Sequence, residues 1–133
     1  MKPIDDDSFI TGRLVSVEQD EWKSQADDAY LNVNARFIDV REEMWKIRHV
    51  KMACRHFKHP HTKENAGKLI LAICAEFGIS DTQLFMSTQD TASASLGALY
   101  NVERVGQLRC CGHVPQLMMK EAIRNCPELH EGN

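Results

Sequence analysis

Residues 30–38 alternate cleanly: Leu31, Val33, Ala35 and Phe37 fall on one parity, Asn32, Asn34 and Arg36 on the other. A period of two over this length predicts a half-buried antiparallel strand. Residues 12–20, rich in Val, Leu and Ser, read as a strand before it. Residues 45–53 read as a strand after it, with Trp45 and Ile47 on one parity and Val50 and Met52 on the other. Either a bulge near His49 or a misread strand accounts for that slip. The connections Ser24–Ala29 and Asp39–Met44 are short, so three consecutive antiparallel strands follow.

The period then changes. Ala66, Leu69, Ile70, Ile73 and Phe77 lie on one helical face, with Thr62 as N-cap, Glu64 in the first turn and Gly78 at C′. The apolar run 83–88 predicts a strand covered on both faces, and the helix before it is the crossover that parallel pairing requires. Thr91 or Ser93 caps a short helix carrying Ala92, Leu96, Leu99 and Tyr100. A brief strand near Gln107–Cys111 leads to a last helix with Val114, Leu117, Met118 and Ala122 on one face and Pro115 in its first turn. The predicted order is β-β-β-α-β-α-β-α.

At 133 residues, with 43% hydrophobic and 26% charged positions, the chain fits one globular domain with a real core. Repeats, low-complexity tracts and linkers are missing from the sequence, so the reading is a polar tail at 1–11, a core at 12–125 and a second tail at 126–133. A formal charge of −3 argues against phosphate binding by bulk charge; nucleic acid would need a local basic patch or metal ions between. Apolar runs are too short to span a bilayer, and the acidic start Met1-Lys-Pro-Ile-Asp-Asp-Asp7 does not read as a secretory signal. The expectation is no membrane association. The five cysteines have no framework spacing. Cys54, Cys74 and Cys126 read as reduced thiols of a cytosolic or nuclear protein, Cys74 as a core residue.

Two carboxylates carry the candidate chemistry. Asp20 closes Val17-Glu-Gln-Asp20 and Asp90 closes Ser87-Thr-Gln-Asp90. If the fourth strand enters beside the first and parallel to it, both acids meet at one sheet edge, where α/β sheets gather ligands. Carboxylates so placed can share a divalent metal. Turn or capping roles are the plain alternative for each Asp.

Three blocks of sequence resemble the hAT superfamily of cut-and-paste DNA transposases. The first is Val17-Glu-Gln-Asp20-Glu-Trp22-Lys-Ser24 with Tyr30-Leu-Asn-Val-Asn-Ala-Arg-Phe-Ile-Asp39, similar to the family's Asp-x-Trp-x-Ser strand end and the strand after it. The second is His59-Pro-His61-Thr-Lys-Glu-Asn65, the helix, and Ser87-Thr-Gln-Asp90-Thr-Ala-Ser93, similar to the family's Asp-Asn-Ala-Ser segment. The third is Arg109-Cys110-Cys-Gly-His113-Val-Pro-Gln-Leu117, similar to its Cys-x-x-His block. Together they span about residues 12–125.

The resemblance implies an α/β, ribonuclease H-like fold: a five-stranded mixed sheet, three antiparallel strands followed by strands joined by helices, flanked by helices. It also implies nuclear localisation, transposon-end DNA as partner, and metal-dependent DNA cleavage and strand transfer. Two Mg²⁺ or Mn²⁺ ions roughly 3.5–4 Å apart would serve that chemistry, Asp20 bridging both and Asp90 holding one. Trp22, Ser24, Cys110 and His113 are implied in supporting or DNA-contacting roles.

The departures set the expectation for activity. The family completes its triad with a Glu on a helix beyond an inserted domain, and carries DNA-binding and dimerisation modules; no segment here matches them. Gln89 and Thr91 flank Asp90 where Thr and Asn are usual, and Pro115 replaces an apolar residue. The expectation is a truncated or domesticated fragment, inactive alone. One rival is a non-catalytic nucleic-acid or protein interaction module. Another is a self-contained metal-dependent nuclease with Glu121 or Glu18 as third carboxylate, Glu18 sharing a strand face with Asp20.

Plainer roles stand beside the sharper ones. Trp22 reads as an anchor for the loop after Asp20, and Ser24 as a turn residue. Cys110 and His113 supply two of the four ligands of a structural zinc site; His59 and His61, or Cys111, would complete it, but nothing in the spacing requires this, and a packed histidine competes. The basic stretch Lys46, Arg48, His49, Lys51, Arg55, His56, Lys58, His59 reads as a solvated strand face before it reads as a phosphate track.

Overall fold

The computed structural model describes residues 14–39, 45–58, 60–90, 97–103 and 105–125. Strands β1 (Val15–Lys23), β2 (Ala29–Asp39) and β3 (Lys46–His56) come first, followed by helix α1 (Lys63–Glu76), β4 (Leu84–Gln89), β5 (Gly106–Arg109) and helix α2 (His113–Asn125). They build a five-stranded sheet of order β3-β2-β1-β4-β5. The β1–β2 and β2–β3 pairs are antiparallel, β1–β4 and β4–β5 parallel. The expected mixed sheet and its α1 crossover are both present.

One face of the sheet makes the core. Val15, Val17, Leu31, Val33, Ala35 and Phe37 point to it and meet Ala66, Ile70, Ile73 and Cys74 of α1. The helix starts where its N-cap allows: the Asn65 N–H donates to the Thr62 hydroxyl at 3.2 Å. It ends at Gly78, whose φ of 71° is open to glycine and strained for other residues. Gly67 lets α1 approach the turn at Gly97–Glu103, because a Cβ there would overlap the Ala98 carbonyl oxygen.

Several expectations change in the structure. The extra residue in β3 is Met52, across from the Val33–Asn34 step, and not a residue near His49. Ile47 simply lies on the open face, while Val50 and Met52 turn to the core, so the apolar parity change needs no slip at His49. Strand β4 is covered on one face only: Leu84, Ser87 and Gln89 are buried while Phe85 is exposed. Ser87 and Gln89 are polar because they join a buried hydrogen-bonded row, so the run is not apolar throughout.

Of the expected short helix, Thr91, Ala92, Ser93 and Leu96 lie outside the described residues; Leu99 is buried and Tyr100 exposed within a run of turns. In α2, Met118, Met119 and Ala122 are exposed, so these residues do not form a packed face, and the side chains of Val114 and Leu117 lie outside the described part. The tails 1–11 and 126–133, with Cys126, also lie outside it.

The open face of the sheet has two distinct ends. At the start of β1 the exposed Leu14, Ile38, Ile47 and Phe85 line a groove of about 510 Å³. At the other end stand Asp20, Trp22, Tyr30 and Asn32.

Candidate functional site

The site is built by the register of two parallel strands. The β1–β4 ladder pairs Val17 with Ser87, Glu18 with Thr88 and Gln19 with Gln89, and stops there. Asp20 and Asp90 are the next residue of each chain segment. Alternation along β1 puts Asp20 on the open face, opposite the buried Gln19, and Asp90 follows the buried Gln89 just past the end of β4. Neighbouring strands lie about 4.8 Å apart, so the two carboxylates start from adjacent backbones.

Asp20 does not end its strand, as the sequence led one to expect. The hairpin ladder with β2 continues through Trp22↔Tyr30 and Lys23↔Ala29, so β1 runs on to Lys23. What ends at Gln19 is the pairing with β4. The β1–β2 turn is closed by Ser24: its backbone N–H donates to the Asp28 carbonyl at 2.8 Å, and its hydroxyl accepts from the Asp28 N–H at 3.2 Å. Ser24 is a turn residue here, as its plainer reading held.

Below the carboxylates runs a row of buried amides. Ser87 donates through its hydroxyl to Gln19 Oε1 at 3.2 Å, and Gln89 Nε2 donates to Ser87 Oγ at 3.2 Å. Gln89 also donates to Gln107 Oε1 on β5 and accepts from the Gly97 N–H. The row ties β1, β4 and β5 together one residue before each Asp. Gln19 Nε2 and Gln107 Nε2 are buried without a partner among the described residues. A repeated signal for this row was present in the chain, since both acids follow a glutamine: Gln19-Asp20 and Gln89-Asp90.

The third block arrives at the same place. The Cys110 N–H donates to the Gln89 carbonyl at 2.7 Å, which sets Cys110 beside Asp90, and His113 opens α2 shortly after. The His113 side chain lies outside the described part. Cys110 and Cys111 are free thiols. His59 lies outside the described residues, and His61 is engaged elsewhere, with Nε2 2.7 Å from the Phe57 carbonyl and Nδ1 3.8 Å from Glu21. Among the described residues no group of three or more His, Cys, Asp or Glu side chains gathers to hold a metal.

The alternative third carboxylates have other partners. Glu18 shares the open face with Asp20, as its spacing predicted, but pairs with Arg36 at 2.8 Å and lies 3.6 Å from His49. Glu121 is exposed on α2, 3.9 Å from Arg124 and accepting from Asn125 at 3.2 Å. The basic stretch divides between two faces of β3 and meets acids: Arg48 bonds Asp39 at 3.2 Å, Arg55 bonds Glu76 at 2.6 Å, and His56 is 3.7 Å from Asp28. β3 is a solvated edge strand, and its charges guard that edge against pairing.

Trp22 stacks on Tyr30 with centroids 4.8 Å apart and planes at 16°, yet remains 41% exposed. Tyr30 in turn meets His56 at 5.5 Å. Sequence reasoning named Tyr30 within a strand block and His56 within a basic stretch, but did not bring either ring to Trp22. Counting outward from the Ser24 turn would have paired Trp22 with Tyr30.

Three antiparallel strands, a helical crossover, and a fourth strand parallel to the first define a ribonuclease H-like α/β domain. Comparison with family models agrees: residues 18–111 match the ZBED1 RNase-like domain. The chain belongs to that family, a hAT-related, transposase-derived domain. Among curated proteins none matches the chain.

Proposed function

We propose that the chain descends from a hAT superfamily transposase, that it uses Asp20 and Asp90 to hold a divalent cation, and that these residues alone do not carry out strand transfer. The observation that carries this reading is the β1–β4 register, which ends one residue before both acids. The donor set fits Mg²⁺ or Mn²⁺. Both groups are hard carboxylates, and the position on β2 facing Asp20 is the neutral Asn32 rather than a cation. When bound, such an ion supplies Lewis-acid activation of a phosphate and of an attacking water. The residues of this chain supply the rest. The buried glutamine row fixes where the carboxylates stand, and the Arg36–Glu18 pair keeps Glu18 occupied beside them.

Two carboxylates leave such a centre short of the triad that the resemblance implies, which is the reason for the proposed inactivity. DNA is the proposed partner and the nucleus the proposed location, both from the resemblance. The test has two arms. Calorimetric titration with Mn²⁺ should give binding that Asp20→Ala or Asp90→Ala abolishes. A strand-transfer assay with Mg²⁺ or Mn²⁺ on nicked and hairpin DNA should give no joined product. Efficient joining would refute the inactivity, and unaltered Mn²⁺ binding in either variant would refute the shared site.

A further inference from the structure

The open face offers more than carboxylates. Register pairs Trp22 with Tyr30 and Tyr30 with His56, so three rings from three adjacent strands stand in a row on the face that carries Asp20. Tyr30 covers one side of the indole. Strand order puts β4 on the side of β1 away from β2, so the other side of the indole is turned toward the Asp90 side of the sheet. That side has no ring partner among the described residues, and the side chain is 41% exposed.

We propose that Trp22, braced by Tyr30, is a stacking platform for an unpaired base of a nucleic-acid strand. The proposal deepens the functional reading above and rests on it only for where the phosphate goes. Trp22 follows Asp20 by two strand residues on the same face, about 7 Å, the scale of one nucleotide. A base on the indole thus brings its phosphate toward the carboxylate pair. Next to the rings, Asn32, Asn34, Lys51 and Cys54 line a hollow of about 460 Å³. Carboxamides there suit base edges, and the exposed Lys51 ammonium suits a phosphate.

The ring arrangement favours a single strand over a duplex. In a duplex both faces of an interior base are already stacked, whereas an unpaired base has a free face for an aromatic side chain. Stacking also tolerates sequence, because every base has such a face. Tyr30 holds the indole in place before any ligand arrives, which lowers the entropy lost on binding.

Tryptophan emission reads the contact directly. The chain has two tryptophans, so a Trp45→Phe background leaves Trp22 as the reporter. Titration with a short oligothymidylate, in EDTA and at low salt, should quench that emission to saturation, and a duplex of equal length should bind at least about tenfold more weakly. By anisotropy of a labelled oligonucleotide, Trp22→Ala should lose about five- to 150-fold in affinity, the worth of one stacked base, and Trp22→Phe less. Circular dichroism checks that each variant folds; if Trp22→Ala does not, the quenching result decides. An oligonucleotide that fails to bind, binds without quenching, or binds no better than the duplex overturns the proposal, as does unchanged affinity in a folded Trp22→Ala. Because EDTA removes divalent ions, these outcomes are independent of whether Asp20 and Asp90 hold a metal.

Discussion

Replacing Gln89 with Leu tests the buried row that aligns the two carboxylates. Gln89 is fully buried, and its amide serves Ser87, Gln107 and the Gly97 N–H. In the variant, Ser87 keeps Gln19 as an acceptor, and the half-buried Gln107 can turn toward water. The Gly97 N–H loses its acceptor, at about 1–3 kcal/mol for an unsatisfied donor, and the remaining bonds add about 1 kcal/mol. Added apolar burial returns about 1 kcal/mol. The net expectation is a loss of about 2 kcal/mol. With an m-value near 2 kcal/mol/M, the urea midpoint falls by about 1 M. Equilibrium urea unfolding followed by far-ultraviolet circular dichroism reads this shift, and Mn²⁺ affinity should fall with it as the end of β4 loosens. A midpoint equal to the parent's would refute the idea that this row organises the strand ends.

Three further substitutions follow from the same structure. Gly67→Ala should lower stability by about 1–2 kcal/mol in thermal unfolding despite alanine's better helix propensity, because the new methyl meets the Ala98 carbonyl; a raised midpoint would show that the approach is looser. Burial pushes the Cys74 thiol up to about 12, so stability should be intact below the ordinary value of 9.0 and fall as pH rises from there toward 12, a loss that Cys74→Ala removes; a pH-independent urea midpoint across that window would contradict it. Glu18→Gln should change stability by less than about 1 kcal/mol, as for a partly exposed ion pair, and leave Mn²⁺ affinity unaltered; a large loss of affinity would make Glu18 a ligand.

Much of the frame was legible because it depends on period and punctuation. The alternation of β2, the helical face of α1, the Thr62 cap and the Gly78 stop each follow from local chemistry, and each is present. The neighbouring placement of Asp20 and Asp90 was legible only conditionally, since parallel pairing is a long-range choice. Other features depend on tertiary partners. Ser87 and Gln89 looked like part of an apolar strand, yet they are buried as a hydrogen-bonded row that needs Gln19 and Gln107 from other strands. The bulge at Met52 is set by the β2 register and not by β3's own pattern. Ion pairs such as Arg36–Glu18 join residues on different strands, so charge runs along the chain gave no guide to them. The ring row from Trp22 to His56 was hidden for the same reason, because its members belong to three strands.

The central claim is that Asp20 and Asp90 share one cation, and paramagnetic broadening by Mn²⁺ locates that ion directly. In ¹⁵N-labelled protein titrated with substoichiometric Mn²⁺, the account predicts that backbone signals from Gln19 to Glu21, and from Gln89 through Asp90 to Cys110, vanish first and together. Broadening centred on other residues, or confined to only one of the two acids, would contradict it.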